Sequence, residues 1–276
     1  RWTDDMEQLV ENFKHLFSKY KAIGKEMLEL HIVGGEPTLW PKLGEFVTEI
    51  RKHIPAYITI SSNGSRTLRW WEKFGTVFDK ILLSCHHKAV DIDHFIKVSD
   101  TLHEMGRSPN VMVLMDPTAW DKCLELIETC KTSKHPWFIS AMEVMHETIN
   151  YTDEQRAFVA KPTKRRPSLW HIWKNRKHLK DNPVVVFEDG SKKRVNRNWI
   201  VLNKQNDFYG WRCNIGVDSM MIDPAGIITG ACRTRLFDNY NIYDKDFVAK
   251  FDPVIKPKIC DKTNTCMCLS LIHISE

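Results

Sequence analysis

An α/β fold on a parallel sheet, followed by a smaller cysteine-rich β-hairpin module, is the architecture that the order of patterns along the chain predicts. Two observations predict the first part. Helical and strand periods alternate five times over about 145 residues, which requires parallel strands with helical crossovers, and polar residues collect at the strand ends. A third predicts the second part: past residue 150 the alternation breaks, and five of the eight cysteines crowd the last third of the chain.

Each element follows from its own period. Met6, Leu9, Val10, Phe13, Leu16, Phe17 and Tyr20 recur at three- and four-residue spacing, one face of an amphipathic helix. "LELHIVGG" is a strand, "PKLGEFVTEIRKHI" a helix, "AYITISSNG" a strand and "TLRWWEKFG" a short helix. "KILLSCHH" is the next strand. "DIDHFIKVSDTLHEMG" is a helix with Ile92, Phe95, Ile96, Ser99 and Leu102 facing in and Gly106 as its stop. Strand "NVMVLMDP", helix "AWDKCLELIETCK" and strand "WFISAMEV" complete the rhythm.

In such sheets ligands gather at the carboxyl ends of the strands. Those ends read "GGEP", "SSNG" (61–64), "SCHH" (84–87), "MDP" (115–117) and "AMEVM" (141–145), so one pocket can draw on all of them. In the first, Gly34 and Gly35 free the backbone and let a ligand approach its amides. Glu36 supplies an acceptor and Pro37 fixes the turn. His86 and His87 follow a strand end and read as ligands, as acid/base groups or as polar surface.

Beyond residue 150, "PVVVFEDGSKKRVNRNWIVLN" reads as a hairpin turning at "EDGSKK", and "VDSMMIDPAGIITGACR" as two short strands around "DPAG". Between the two parts, residues 161–180 carry eight Lys or Arg and no acid, within a formal charge of +5 for the whole chain. This stretch is a solvated linker face or a patch for an anionic partner. Trp170 and Trp173 keep nucleic acid among the candidates, since aromatics among basic residues stack on bases.

No run approaches the roughly 18 apolar residues of a membrane span, and the acidic, amphipathic amino terminus is not a signal peptide. The chain reads as cytoplasmic, where thiols stay reduced and clustered cysteines argue for metal. Cys213, Cys232, Cys260, Cys266 and Cys268 offer soft ligands from different segments, for zinc or for an iron–sulfur cluster. With one tight C-x-C and no paired knuckles, the spacing favours iron–sulfur. Hydrolase and nucleotide-fold chemistries lack their residues: there is no G-x-S-x-G, no P-loop and no G-x-G-x-x-G.

Taken together, "GGEP", "SSNG" and "SCHH" at successive strand ends and the cysteine-rich tail with "DPAGIITGAC" resemble the radical S-adenosylmethionine (radical SAM) superfamily with a twitch or SPASM-like carboxyl-terminal domain. The resemblance implies a partial (β/α)6 TIM-type barrel lacking its first strand. Residues 1–150 would be that barrel, 151–207 a basic linker and hairpin, 208–268 the auxiliary-cluster domain, and 269–276 a non-native tail.

It further implies a 4Fe-4S cluster held by a C-x3-C-x2-C loop and S-adenosylmethionine chelated to it. One-electron reduction would yield a 5′-deoxyadenosyl radical that takes hydrogen from a peptide, protein or small-molecule substrate. The backbone of Gly34, Gly35 and Glu36 would meet the methionine amino group, with Pro37 shaping the turn. Ser62, Asn63, Ser84 and His86 would lie near the ribose or carboxylate, and the late cysteines would hold one auxiliary 4Fe-4S cluster. An electron donor such as a flavodoxin or ferredoxin is the implied partner.

The sequence departs from the pattern in two places. No C-x3-C-x2-C occurs in the 276 residues, so that loop is expected upstream of Arg1 and the chain alone is expected to be inactive. Five residues separate Gly226 from Cys232 where the SPASM pattern has four. A zinc-stabilised nucleic-acid-binding protein and a non-catalytic relative are the competing readings.

Overall fold

The computed structural model describes residues 5–134, 138–143, 150–159, 184–186, 190–194, 207–210, 212–218, 220–230, 236–237 and 240–261. The chain divides into two compact units, residues 26–166 and residues 1–25 together with 167–276.

The first unit is built on a five-stranded sheet in the order β1-β2-β3-β4-β5, with every neighbouring pair parallel. The strands are β1 (Leu28–Ile32), β2 (Ala56–Ser62), β3 (Lys80–Cys85), β4 (Asn110–Met115) and β5 (Phe138–Glu143). Helices α2 (Leu43–His53), α3 (Leu68–Phe74), α4 (Ile92–Glu104) and α5 (Trp120–Lys131) make the crossovers that parallel pairing demands. This is the alternation that the periods predict.

One face of the sheet is fully buried. Ile58 and Ile60 of β2, Ile81 and Leu83 of β3, and Val111, Val113 and Met115 of β4 point into it. They join a core with Phe46, Val47 and Ile50 of α2, Trp71 of α3, and Phe95, Val98 and Leu102 of α4. The alternate positions form the other face. Lys80, Leu82 and Ser84 on β3 and Asn110, Met112 and Leu114 on β4 are only half-buried. A sheet covered on both sides reads as an unbroken apolar run. These strands alternate, so their second face is polar and partly open.

Local chemistry sets the helix ends. Gly106, at φ +76°, closes α4 by donating its N–H to the His103 carbonyl while Arg107 donates to Leu102, the paired bonds of a left-handed glycine stop. The inward face of α4 differs from the predicted one: Val98 is buried with Phe95, Ser99 and Leu102, while Ile92 and Ile96 are only half-covered. The stripe follows i, i+3, i+4 and i+7 from Phe95, and α3 packs alongside α4. A further helix, α6 (Asp153–Val159), lies in the stretch read as connector. Trp120 packs edge-on against its Phe158, and the Tyr151 hydroxyl donates to the Met115 carbonyl (2.6 Å).

In the second unit, α1 (Met6–Ala22) buries Leu9, Val10, Phe13, Leu16, Phe17 and Tyr20, the stripe its spacing predicts apart from Met6, which is half-buried. Its partners lie some two hundred residues on. Asn12, fully buried, donates through Nδ2 to the carbonyls of Ile242 (2.8 Å) and Asp244 (3.0 Å), and Tyr20 donates to the Gly216 carbonyl (2.5 Å). His15 meets the Phe251 carbonyl (3.0 Å) and stands edge-on to Phe247 and Phe251, which stack on each other.

Among the described residues of the carboxyl-terminal half there are three short antiparallel ladders: β6 (Val184–Val186) with β7 (Lys192–Arg194), β9 (Met221–Ile222) with β10 (Ile228–Thr229), and β8 (Arg212–Cys213) with β11 (Lys258–Ile259). The second is the predicted pair of strands around "DPAG"; in the first, Lys192 and Lys193, expected in the turn, already pair with Val186 and Val185, and the rest of the expected second strand lies outside the described residues. In the second turn Asp223 Oδ1 accepts the N–H groups of Ala225 and Ile227. Gly226 sits at φ +87°, where a Cβ would come 2.1 Å from the Asn241 side-chain oxygen. Among the described residues, no helix is long and apolar enough to cross a membrane.

Candidate functional site

The carboxyl ends of β1 and β2 are joined by one carboxylate. Glu36 caps a single-turn 3-10 helix, Pro37–Leu39, and its Oε1 accepts from the Thr38 N–H (3.1 Å), the Thr38 hydroxyl (2.6 Å) and the Ser62 hydroxyl (2.8 Å). Its Oε2 accepts from the Asn63 N–H (2.6 Å). Four donors from within the protein engage both oxygens, three on Oε1 and one on Oε2. Ser62, 2% exposed, in turn accepts from the Gly64 N–H, and Asn63 Oδ1 accepts from the Ser65 N–H.

With Glu36 occupied, the loop's open surface is the backbone before it. Gly34 and Gly35 are exposed, and a Cβ built on either meets nothing within 4 Å. Gly34 has φ +141°, a conformation that disfavours other residues. Its freedom serves the backbone path, and the space around both residues is clear. Pro37 is buried and holds the first position of the turn. The Glu36 carboxylate is engaged within the protein, and the backbone of Gly34 and Gly35 stays exposed beside it.

The ends of β3 and β4 repeat the device. Asp116 caps the turn Pro117–Ala119, and its Oδ1 accepts from the Thr118 N–H (2.9 Å) and hydroxyl (2.6 Å). Its Oδ2 faces Lys88 Nζ (3.3 Å) and His87 Nε2 (3.8 Å) in the loop after β3. The Thr118 bonds and Lys88 hold its carboxyl down, from the usual 3.8 to about 2. Each carboxylate therefore ties its own strand's exit loop to that of a neighbour. The sequence signal is a tripeptide repeated with its following tryptophan, "EPTLW" at 36–40 and "DPTAW" at 116–120, which pattern reading by strand ends alone passed over.

Ser84 lies beside this network, its hydroxyl donating to the Ser62 carbonyl (3.3 Å). His86 is exposed two residues on. Burial of part of its ring, then the charge of His87, lower its pKa. On the open face of the sheet, His31 Nε2 meets the Ser61 hydroxyl (3.1 Å), and burial followed by Lys80 lowers its pKa too. Glu36, Ser62, Asn63 and Ser84 are thus linked by direct bonds, with Gly34, Gly35 and Pro37 in the same loop and His86 on the adjoining strand end.

Of the predicted metal ligands, Cys213 and Cys260 are described and half-buried. Cys213 pairs with Lys258 across the β8–β11 ladder, and Cys260, one residue past β11, accepts the Gly210 N–H at its carbonyl (2.8 Å). Cys232, Cys266 and Cys268 lie outside the described residues. Among the described residues, no three His, Cys, Asp or Glu side chains converge as a metal-holding group.

No family model and no curated protein matches the chain. Among solved structures it is similar to a hexahistidine-tagged form of anSMEcpe with bound AdoMet, at 14% identity and a TM-score of 0.49, over 91% of this chain and 69% of that one. It is also similar to native anSMEcpe with bound AdoMet and the Cp18Cys peptide, at 12% identity and a TM-score of 0.45, over 88% of this chain and 72% of that one. For native anSMEcpe with AdoMet and the Kp18Cys peptide the figures are 13% and 0.37, and the match spans 49% of this chain and 42% of that one.

Proposed function

We propose that the chain is part of a radical SAM enzyme, in which the exit loops of β1, β2 and β3 hold S-adenosylmethionine. The observation that carries this reading is the Glu36 staple: it locks the "GGEP" loop to Ser62 and Asn63 and leaves the Gly34–Gly35 backbone uncovered at the carboxyl end of a parallel strand. Backbone carbonyls presented by a fixed loop suit an ammonium group, and Asn63, Ser84 and His86 suit a carboxylate and a ribose. The residues present fit that ligand. Bound on a 4Fe-4S cluster, whose C-x3-C-x2-C ligands are not among these 276 residues, and reduced by one electron, S-adenosylmethionine would supply a 5′-deoxyadenosyl radical for hydrogen abstraction.

The chain's own residues do the holding. Glu36 keeps the loop's shape, Pro37 fixes its turn, and Ser62 relays the restraint to β2. Cys213 and Cys260, with ligands from among Cys232, Cys266 and Cys268, would hold one auxiliary 4Fe-4S cluster, with a flavodoxin or ferredoxin as donor and a peptide, protein or small molecule as substrate.

The test is anaerobic reconstitution with iron and sulfide, followed by equilibrium dialysis with labelled S-adenosylmethionine. The expected product is brown, with roughly four irons per chain for one cysteine-ligated centre, and Cys213→Ala or Cys260→Ala loses most of that iron. Glu36→Ala keeps the iron and weakens S-adenosylmethionine binding about tenfold or more, since it frees the loop and leaves the Ser62 and Asn63 donors unpaired. Tightly held zinc that iron does not replace, or binding indifferent to Glu36, would sink the proposal.

A further inference from the structure

Strand β1 ends the sheet, and among the described residues it pairs only with β2. One bond shows which of its backbone groups face β2: the Leu28 N–H donates to the carbonyl of Pro55, the residue before β2 (2.8 Å). Successive residues of a strand aim their N–H and C=O groups at opposite sides. Leu28, Leu30 and Ile32 therefore spend their backbone groups on β2, while Glu29 and His31 turn theirs to the open edge.

An open edge is a template for another strand, and proteins commonly guard it with proline, lysine or a bulge. The segment "LELHI" has no proline and no lysine, and its register against β2 runs without a bulge. Its apolar side is also incompletely covered. Leu28, Leu30 and Ile32 are half-buried, whereas Ile58 and Ile60, their neighbours on β2, are fully buried. Met27 and Val33, on either flank, are 39% and 54% exposed.

This edge complements itself. Placed antiparallel to a second copy with Leu30 on the two-fold axis, Glu29 falls opposite His31, Leu28 opposite Ile32, and Met27 opposite Val33. Glu29 and His31 then exchange both of their outward N–H···O bonds, twice by symmetry, and Leu30 meets its own copy in the closer, non-hydrogen-bonded position. Each exposed carboxylate stands across from an exposed imidazole. His31 already meets the Ser61 hydroxyl through Nε2 (3.1 Å), and Nδ1 is the ring nitrogen that remains. Other registers are poorer. A shift of one residue sets the outward groups of Glu29 against backbone already bonded to β2, and a shift of two puts Glu29 opposite Glu29 or His31 opposite His31.

We propose that two copies of this chain associate through their β1 edges in the Leu30-centred antiparallel register, joining their sheets. The contact uses the same surface on both copies, so it closes at a dimer. It is independent of the S-adenosylmethionine reading.

The experiment is sedimentation velocity of the full chain over a concentration series, with amide hydrogen exchange at each concentration. The expected result is a reversible monomer–dimer equilibrium in which the Glu29 and His31 amides gain protection as dimer forms. Glu29→Lys should weaken the dimer about tenfold, and combining Glu29→His with His31→Glu should restore it to within about threefold, because the swap keeps opposite groups opposed. His31→Pro removes an outward donor and spares the bonds to β2, so it should abolish the dimer while far-UV circular dichroism stays unchanged. Leu30→Cys should give a disulfide joining residue 30 to its copy, since the two Cα atoms would lie about 4.5 Å apart. A monomer at every concentration, or a dimer indifferent to Glu29→Lys and His31→Pro, would overturn the proposal. So would protection of the Glu29 and His31 amides that ignores concentration, because another segment of the same chain would then hold the edge.

Discussion

Two carboxylates with one side-chain grammar do different work because of what stands opposite them. Glu36 has a backbone donor on each oxygen and two hydroxyl donors on Oε1, and is engaged by structure. Asp116 gives one oxygen to Thr118 and turns the other to Lys88 and His87, so its charge stays linked to solvent pH. Its folded pKa lies below the unfolded one, so the stability it lends is present above about pH 4 and is lost as pH falls toward about 2. Asp116→Asn should therefore lower the unfolding midpoint relative to wild type near neutrality, and the gap should close through that window. Thermal melts of both proteins from pH 6 to pH 2.5, roughly spanning the titration, check this. A gap of constant size would mean that the carboxylate's charge contributes nothing.

At the level of elements, the five strands were legible because alternation between periods of about two and 3.6 residues survives in each, and the exit loops were legible because glycine, proline and asparagine mark them. What covers an element was harder to read. Ile92 and Ile96 fit a helical stripe as well as Val98 does, and only the packing of α3 against α4 decides between them. The "EPT" and "DPT" caps were visible as letters, yet a carboxylate's role depends on donors that arrive from another strand. Asn12 was invisible altogether, a polar residue inside an apolar stripe. Its amide fixes α1 on the carbonyls of Ile242 and Asp244, so Asn12→Leu, which keeps the volume, strands both acceptors in a buried site. The cost should be about 3 kcal/mol, measured by urea unfolding, whereas Tyr20→Phe should cost about 1 kcal/mol for its single bond. Near-neutral behaviour of Asn12→Leu would show that those carbonyls find water.

For the whole molecule, the contacts set residues 1–25 with 167–276 rather than with the sheet that follows them in sequence. Chain order does not encode such a partnership. The α1 period is the same whether the helix covers the neighbouring strands or a short helix and loops two hundred residues away, which is why sequence placed it with residues 1–150. The division has an energetic consequence. Elements that share buried contacts open together, and those in different compact units need not. Native-state hydrogen exchange at rising denaturant should show the amides of α1 and of the helix Phe247–Lys250 losing protection along one isotherm, through Asn12, His15 and the Phe247–Phe251 stack. The amides of β2, β3 and β4 should follow another isotherm, set by Ile60, Leu83 and Val113. Asn12→Leu should shift the first and leave the second where it was. If α1 instead exchanges with β2 to β4, its stability comes from the sheet, and the boundary near residue 25 has no energetic meaning.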